Sequence, residues 1–241
     1  DFTSVSDATL TFNYTVESGH LNVNIDYSST STLALNSGTI RDAASNNATL
    51  TLASPGASGS LAANKALIAD GILPVISSVS LAANNSSIAV TMSEAVYNTN
   101  GGSGVLEAAD FALSISGGVA TMSSATPTSI SASGNVYTLG IGLSGTPNGS
   151  ETLTVAPVDN GIYDYSGNEA STSQSNNTIS LNDKLPATIS SVALAADNST
   201  IAVTMSEAVY NTNGGSGALQ VSDFVLSISG GTAAITNSGT P

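Results

Sequence analysis

The stretch TMSEAVYNTNGGSG occupies residues 91–104, and the same fourteen letters return at residues 204–217, 113 positions later. Around it, residues 76–118 align without gaps on residues 189–231, and only eight of those 43 positions differ. Chance does not produce such a match. Self-similarity at a fixed spacing is typical of an array of repeated structural units. The chain of 241 residues therefore predicts repeats of about 110 residues each.

Apolar and polar residues alternate inside the repeat, in segments such as SIAVTM (87–92), DFALSIS (110–116) and VYTLGIGL (136–143), and also in TLTFNYTV (9–16). A period of two predicts strands with one buried and one wet face. Turn-forming clusters such as NTNGGSG and SGTPNGS separate the strands. The fold class predicted from this pattern is all-β, as tandem Ig-like antiparallel β-sandwich repeats. The residues expected in the core of the complete repeat follow the alternation: Ile88, Val90, Met92, Phe111, Leu113, Ile115, Tyr137, Leu139, Ile141 and Leu143.

Two short linkers separate the repeats. ADGILPV (69–75) and LNDKLPAT (181–188) share an Asp followed by Leu-Pro, and Pro stiffens a connection. The domains predicted on this basis are the later part of one Ig-like repeat (1–72), a complete repeat (73–185) and the early part of the next (186–241). The chain also opens on Asp1 without a visible signal peptide, which indicates a processed protein or a piece of a longer one.

Composition excludes several classes of function. Three basic residues stand against seventeen acidic ones, for a formal net charge of -14. This balance argues against nucleic acid, whose phosphates need Lys and Arg, and against an anionic membrane surface. No apolar run is long enough for membrane insertion as a helix. The chain has no cysteine, so it has neither disulfides nor thiolate chemistry.

Four motifs recur in a fixed order within the complete repeat. They are Ser93-Glu94-Ala95, Asp110-Phe111, Ser133-Gly134-Asn135 and the turn from Asp164 to Asn168. In this order the sequence resembles the Ig-like repeats of very large bacterial surface proteins, including a cyanobacterial swimming-associated surface protein and calcium-dependent adhesins. The first segment is similar to a second type of such repeats, and it departs from that type at Ser45, where Gly is usual. The resemblance implies an extracellular, cell-surface location and a stalk, matrix or adhesin role, often with calcium.

Acidic residues at turns and linkers are the candidate metal ligands. Asp42 and Asp164 open tight turns before Asn46 and Asn168, where they either cap backbone amides or bind calcium. Both interpretations stay open at the level of sequence.

The remaining candidate ligands lie in the linkers and after a buried strand. Asp70 and Asp183 are linker residues, where a Ca²⁺ ion at an interdomain junction would join consecutive repeats. Glu94 and Glu207 follow the strand that ends in Thr-Met-Ser, and each is expected to reach such a junction. The chain has no D-x-D-x-D-G loop, so an EF-hand site is not expected.

No enzyme is predicted. His20 is the one histidine and lies in a predicted loop, so that a Ser-His-Asp set cannot recur from repeat to repeat. NTNGGSG lacks the Lys and the following helix of a phosphate-binding loop.

The function expected is therefore a non-enzymatic extracellular structural or adhesive segment. Its expected partners are adjacent repeats, neighbouring copies or cell-surface and matrix glycans. Two alternatives remain. One is a self-assembling filament subunit, completed by strands of its neighbours. The other is a carbohydrate-binding module, for which the chain offers no Trp and seven Tyr.

Overall fold

The computed structural model describes residues 2–6 and 8–235. The chain divides into two compact units, a first unit from Asp1 to Asp183 and a second unit from Lys184 to Pro241. The boundary predicted between residues 72 and 73 lies inside the first unit, and the division into three repeats stays a prediction. In the part of the chain that the structure describes, no helix combines the length and the apolar character needed to cross a bilayer.

The protein is nearly all β, as predicted, and its strands pair antiparallel. Among the residues described, the helical ones form one α-helix, α1 (Leu61–Asn64), and two short 3₁₀ turns, Ala108–Asp110 and Val221–Asp223. The strands are β1 (Phe2–Ser6), β2 (Thr9–Phe12), β3 (Leu21–Val23), β4 (Ile68–Asp70), β5 (Ile76–Leu81), β6 (Ser87–Met92), β7 (Phe111–Ser116), β8 (Thr121–Met122), β9 (Ile130–Ser133), β10 (Val136–Gly140), β11 (Leu143–Ser144), β12 (Thr152–Pro157), β13 (Thr178–Ser180), β14 (Ile189–Leu194) and β15 (Ile201–Met205).

Residues 73–183 form two sheets around one core. One sheet has the strand order β5-β6-β10-β9, and the other has the order β13-β12-β7. The short strands β8 and β11 pair with each other in a separate two-stranded sheet. The register places Leu139 opposite Ile88 in the first sheet and Val155 opposite Leu113 in the second.

Both sheets direct alternate side chains into the same core, which confirms the alternation read from the sequence. β6 and β12 each alternate half-buried and buried residues along their whole length. Ile115 and Leu143 are partly buried and pack against this core. The other predicted core residues are buried: Ile88, Val90, Met92, Phe111, Leu113, Tyr137, Leu139 and Ile141.

A buried carboxylate closes the end of this sandwich. Glu151 is fully buried, and its Oε1 accepts hydrogen bonds from the backbone N–H groups of Val119 (2.8 Å) and Ala120 (2.9 Å). The N–H of Asn148 donates to the same carboxylate. Burial alone would raise the pKa of Glu151, but these donors and the N–H of Glu151 itself outweigh it and lower the pKa to about 2. Glu151 therefore stays ionised and holds two turns together.

An amide pair holds the chain where it leaves β13. Asn85 is buried with φ 60°, a left-handed conformation that Asn tolerates better than most residues. Its Nδ2 donates to the carbonyl of Asn182 (2.7 Å), and its Oδ1 accepts from the N–H of Asn182 (2.9 Å). The Nδ2 of Asn182 donates to the carbonyl of Ala82 (3.2 Å). The end of the complete repeat is therefore fixed to the turn between β5 and β6.

The strand predicted over residues 9–16 is shorter in the structure. β2 ends at Phe12 and pairs with β1 in a two-stranded sheet. Leu10, Phe12, Tyr14 and Val16 are exposed. Tyr14 and Val16 lie beyond the end of β2, and the predicted alternation does not lead to burial here.

The second unit repeats the beginning of the complete repeat. Its β14-β15 hairpin has the same pairing pattern as β5-β6, with the irregularity between Ile189 and Ser191 matching the one between Ile76 and Ser78. Ile189, Ile201 and Val203 of this hairpin are exposed, although their equivalents Ile76, Ile88 and Val90 are buried. Met205 is half-buried.

We expect Phe111→Ala to lower the free energy of unfolding of the complete repeat by about 3–5 kcal/mol, because the ring is buried in the core and its loss leaves a cavity. Phe224 occupies the equivalent position in the second unit and is 46% exposed. Phe224→Ala is therefore the matched control, with an expected cost below about 1 kcal/mol. Urea unfolding followed by circular dichroism measures both. Equal costs for the two variants would contradict the assignment of the core.

Candidate metal centre

Asp70, Glu94 and Asp164 converge in the first unit. One carboxylate oxygen from each lies within 4.8 Å of the others. We call these three residues the carboxylate cluster. Asp164 is fully buried, and Asp70 and Glu94 are half-buried. Among the described residues this is the group of three acidic side chains close enough together to share a cation.

Each member comes from a different element. Asp70 ends β4, in the linker, and Glu94 follows β6. Asp164 opens the turn between residues 164 and 168. Glu94 and Asp164, 70 residues apart in sequence, meet because Tyr97 and Tyr163 pair by two backbone hydrogen bonds of 2.7 and 2.8 Å. The cluster thus joins the linker to the complete repeat.

Asp164 caps its own turn. Its Oδ1 accepts from the N–H of Asn168 (2.8 Å), and its Oδ2 accepts from the Asn168 side-chain amide (2.7 Å). Gly167 has φ 90°, which this turn requires. The turn-cap interpretation left open by the sequence therefore describes Asp164, and the same carboxylate also faces the other two members of the cluster.

The turn also holds the linker. The Asn168 amide donates a second hydrogen bond to the carbonyl of Asp70 (2.9 Å), and Ser166 Oγ donates to Asp70 Oδ2 (3.3 Å). Asp70 Oδ1 accepts from the N–H of Ile72 (3.1 Å). Sequence reasoning placed Asn168 in the turn but missed the contacts of Asn168 and Ser166 with the linker, because a contact across almost one hundred residues leaves no local pattern.

On its other side, the linker pairs with the loop that precedes β3. The N–H of Gly71 donates to the carbonyl of His20 (2.7 Å), and the N–H of Gly19 donates to the carbonyl of Gly71 (2.9 Å). A Cβ atom at position 71 would collide with the carbonyl of Glu17. Glycine at position 71 therefore allows the two backbones to approach.

The negative charges of the carboxylate cluster act on one another, and no basic group contributes to the shift in the pKa of Glu94. Burial raises the pKa of Glu94, and the charges of Asp164 and Asp70 raise it further. A hydrogen bond with Ser93 lowers the pKa but does not cancel these effects. The donor set is made of hard oxygen ligands, which suit calcium in charge and chemistry.

Asp42 lies outside the cluster. It opens the same kind of turn as Asp164: its Oδ1 accepts from the N–H groups of Ala44 (2.9 Å) and Asn46 (2.8 Å). Ser45 occupies the position of Gly167 and has φ 68°, which explains why Gly is usual there. Asp42 is exposed, so the structure gives it the role of a turn cap, and its metal binding stays a prediction.

Asp183 and Glu207 also lie outside the cluster. Asp183 ends the first unit and Glu207 lies in the second, and both are exposed. They are the equivalents of Asp70 and Glu94, each 113 residues later. This paired recurrence of a linker acid and a Ser-Glu-Ala acid is the sequence signal that links the two positions. Metal binding by Asp183 and Glu207 stays a prediction.

The chain was compared with protein families, curated proteins and solved structures. No family model matches the chain, and no curated protein matches it in sequence. Among solved structures, the N-terminal part of the bacterial S-layer protein SbsC is similar to it, with a TM-score of 0.33 and 20% sequence identity. The match covers 70% of this chain and 38% of that one. A likeness of this degree does not establish a shared fold or function.

The cluster predicts a specific pH dependence in chelator. A carboxyl whose pKa is raised by folding binds its proton more tightly in the folded state. Its contribution to stability is therefore fully present below its unfolded value of about 4.5 and is lost as the pH rises through the raised value. We expect Glu94→Gln to be more stable than the parent at pH 7 in chelator, with the difference shrinking toward pH 4.

Urea unfolding at several pH values measures this difference. Glu207→Gln is the matched control, because Glu207 has the same neighbours in sequence and lies outside the cluster. Parallel pH profiles for the parent and Glu94→Gln would rule out the proposed repulsion.

Proposed function

We propose that the chain is a non-enzymatic, extracellular structural or adhesive segment of a large bacterial surface, matrix or filament protein. In this proposal tandem Ig-like repeats give length, and a cation stiffens the joint between consecutive repeats. The partners of each repeat are its neighbours in the array. The single observation that carries the proposal is the carboxylate cluster, which lies at the linker and not in the middle of a sheet.

The strand order supports the Ig-like assignment. An Ig constant-type sandwich has the sheets A-B-E-D and C-F-G. Taking β5, β6, β7, β9, β10, β12 and β13 as A to G gives the observed sheets β5-β6-β10-β9 and β13-β12-β7. The chain carries this pattern without the disulfide and the buried Trp of antibody domains.

The linker is hydrogen-bonded on both sides, which would hold consecutive segments in a fixed orientation. Its residues 70–72 are hydrogen-bonded on one side to the turn of residues 164–168 and on the other to residues 17–20. A linker tied on both sides holds the segment before it against the repeat after it. Such a joint suits a stalk, where stiffness sets the distance that the protein reaches.

Calcium is the cation that we propose for this joint. Asp70, Glu94 and Asp164 would hold it, and its two positive charges would offset most of the mutual repulsion of the three carboxylates. Ca²⁺ takes six to eight oxygen ligands, so carbonyl groups or water would complete its shell. In the protein alone, the Asn168 amide and Ser166 hydroxyl already orient Asp70 toward this position.

A thermal melt tests the proposal. At a free calcium concentration about a thousand times the dissociation constant, a folded-state ligand stabilises by about 4 kcal/mol. For a unit of this size we expect the Tm to rise by roughly 10 °C relative to the melt in chelator. Circular dichroism at pH 7 follows the transition.

Two variants make the test specific. Glu94→Gln should lose most of the calcium response, because it removes one ligand and keeps the size of the side chain. Asp42→Asn alters the equivalent turn outside the cluster and should keep the response. A response that persists in Glu94→Gln and disappears in Asp42→Asn would place the cation elsewhere. The absence of any response in the parent would remove calcium from the proposal.

A further inference from the structure

The duplicated loop NTNGGSG, residues 98–104 and 211–217, contains the dipeptide Asn-Gly in both copies. In this dipeptide the backbone nitrogen of Gly can attack the side-chain amide of Asn with little hindrance, because Gly has no Cβ and wide conformational freedom. The chain has four Asn-Gly pairs, which begin at Asn100, Asn148, Asn160 and Asn213. Their surroundings in the folded protein differ, and these differences decide which amides can react.

The pairs in the duplicated loop are open. Asn100, Asn213 and the glycines that follow them are exposed. Among the described residues, neither side-chain amide has a hydrogen-bond partner, and neither do the N–H groups of Gly101 and Gly214. A Cβ atom on either glycine would meet no atom of a non-adjacent residue within 4 Å. The Asn side chain and the next backbone nitrogen can therefore approach each other without breaking a contact.

The pair at Asn148 is held in place. Asn148 and Gly149 are half-buried, and Asn148 Oδ1 accepts a hydrogen bond from the N–H of Ser150 (3.1 Å). The N–H of Asn148 donates to the buried carboxylate of Glu151. These bonds fix both the side chain and the backbone of Asn148.

The pair at Asn160 is held more firmly. The Nδ2 of Asn160 donates to Asp159 Oδ2 (2.9 Å), and its Oδ1 accepts from the hydroxyl of Tyr163 (3.2 Å). Gly161 is buried, and its N–H, which would be the attacking group, donates to the carbonyl of Val158 (3.0 Å). A reaction at Asn160 would require these bonds to break first.

We propose that Asn100 and Asn213 are sites of spontaneous deamidation, so that each copy of the loop carries one. The backbone nitrogen of Gly101 forms a bond to Cγ of Asn100, the bond from Cγ to Nδ2 breaks, and Nδ2 leaves as ammonia with the proton of the Gly101 N–H. The resulting succinimide ring takes up one water molecule. Opening of the ring at Cγ gives Asp, and opening at the backbone carbonyl carbon gives isoaspartate. The reaction needs water and a base to move the proton, and it involves no oxidation or reduction.

At Asn100 the product changes the surface of the turn that Asp164 opens. A Cβ atom at position 167 would lie 2.3 Å from Asn100 Oδ1, so the amide oxygen packs against this turn. Deamidation puts a carboxylate in its place, and isoaspartate also lengthens the main chain between Thr99 and Ser103, whose hydroxyl oxygens are 2.8 Å apart. We expect both changes to weaken the contact, because the new charge lies beside a turn that already carries a buried carboxylate. This effect does not depend on a bound cation.

Peptide mapping of the full chain, incubated at mildly alkaline pH and sampled over time, tests the proposal. Mass spectrometry measures the conversion of amide to carboxylate at each Asn-Gly pair, and isoaspartyl methyltransferase labels the isoaspartate. We expect Asn100 and Asn213 to react at least about tenfold faster than Asn148 and Asn160, because hydrogen bonds hold the latter two. In urea all four pairs should react at similar rates, since they share the dipeptide.

Asn100→Gln is the matched variant, because it keeps the amide and lengthens the side chain, so that the succinimide ring cannot form. Residue 100 should then stay unmodified while Asn213 reacts as in the parent. The N–H groups of Tyr97 and Tyr163, which pair beside the turn at 2.7 and 2.8 Å, report the effect on the turn. After incubation they should exchange hydrogen faster in the parent than in Asn100→Gln.

Three results would overturn the proposal. The first is equal rates at the four pairs in the folded protein, or a faster reaction at Asn148 or Asn160. The second is an intact amide at Asn100 or Asn213 under conditions in which the unfolded chain reacts. The third is equal hydrogen exchange at Tyr97 and Tyr163 in the incubated parent and in Asn100→Gln, which would exclude an effect on the turn.

Discussion

Mutual repulsion of three carboxylates is the constraint on which the joint depends. Asp70, Glu94 and Asp164 bring oxygens within 4.8 Å of one another, and Asp164 is fully buried. Such an arrangement destabilises the folded state unless the charges are protonated or neutralised. Burial first, and then the charges of Asp164 and Asp70, raise the pKa of Glu94. Glu151 is also buried, but backbone N–H donors stabilise its charge, so its pKa falls. The buried carboxylate of Glu151 is stabilised by backbone donors. The carboxylate cluster around Asp164 lacks such compensation, so a bound cation would stabilise it.

The rest of the first unit places the carboxylate cluster at the linker. The sandwich is held by apolar residues of two sheets, and its loops bring Glu94 and Asp164 to one end. The linker then adds Asp70, oriented by Ser166 and by the carbonyl contact with Asn168. A cation at this point would act on the joint and leave the sheets unchanged. This separation suits an array, since each repeat folds around its own core while the spacing between repeats responds to ions.

Much of the fold follows from local pattern, and the site follows only in part. Period-two alternation identifies Ile88, Val90 and Met92 as core because a sheet faces them. The same alternation fails for Tyr14 and Val16, which lie beyond the end of β2 and are exposed. Asp42 and Asp164 open equivalent turns, and their sequences do not distinguish the exposed acid from the buried one. That difference arises from the long-range pairing of Tyr97 with Tyr163 and from the position of the linker.

Hydrogen exchange at the linker tests the central claim most directly. The N–H groups of Gly19 and Gly71 are bonded across the joint, whereas those of residues 88–92 lie in the sheet. If a cation holds the joint through the carboxylate cluster, exchange at Gly19 and Gly71 slows when calcium replaces chelator, and exchange at residues 88–92 changes much less. Equal exchange at Gly19 and Gly71 with calcium and with chelator would contradict the account.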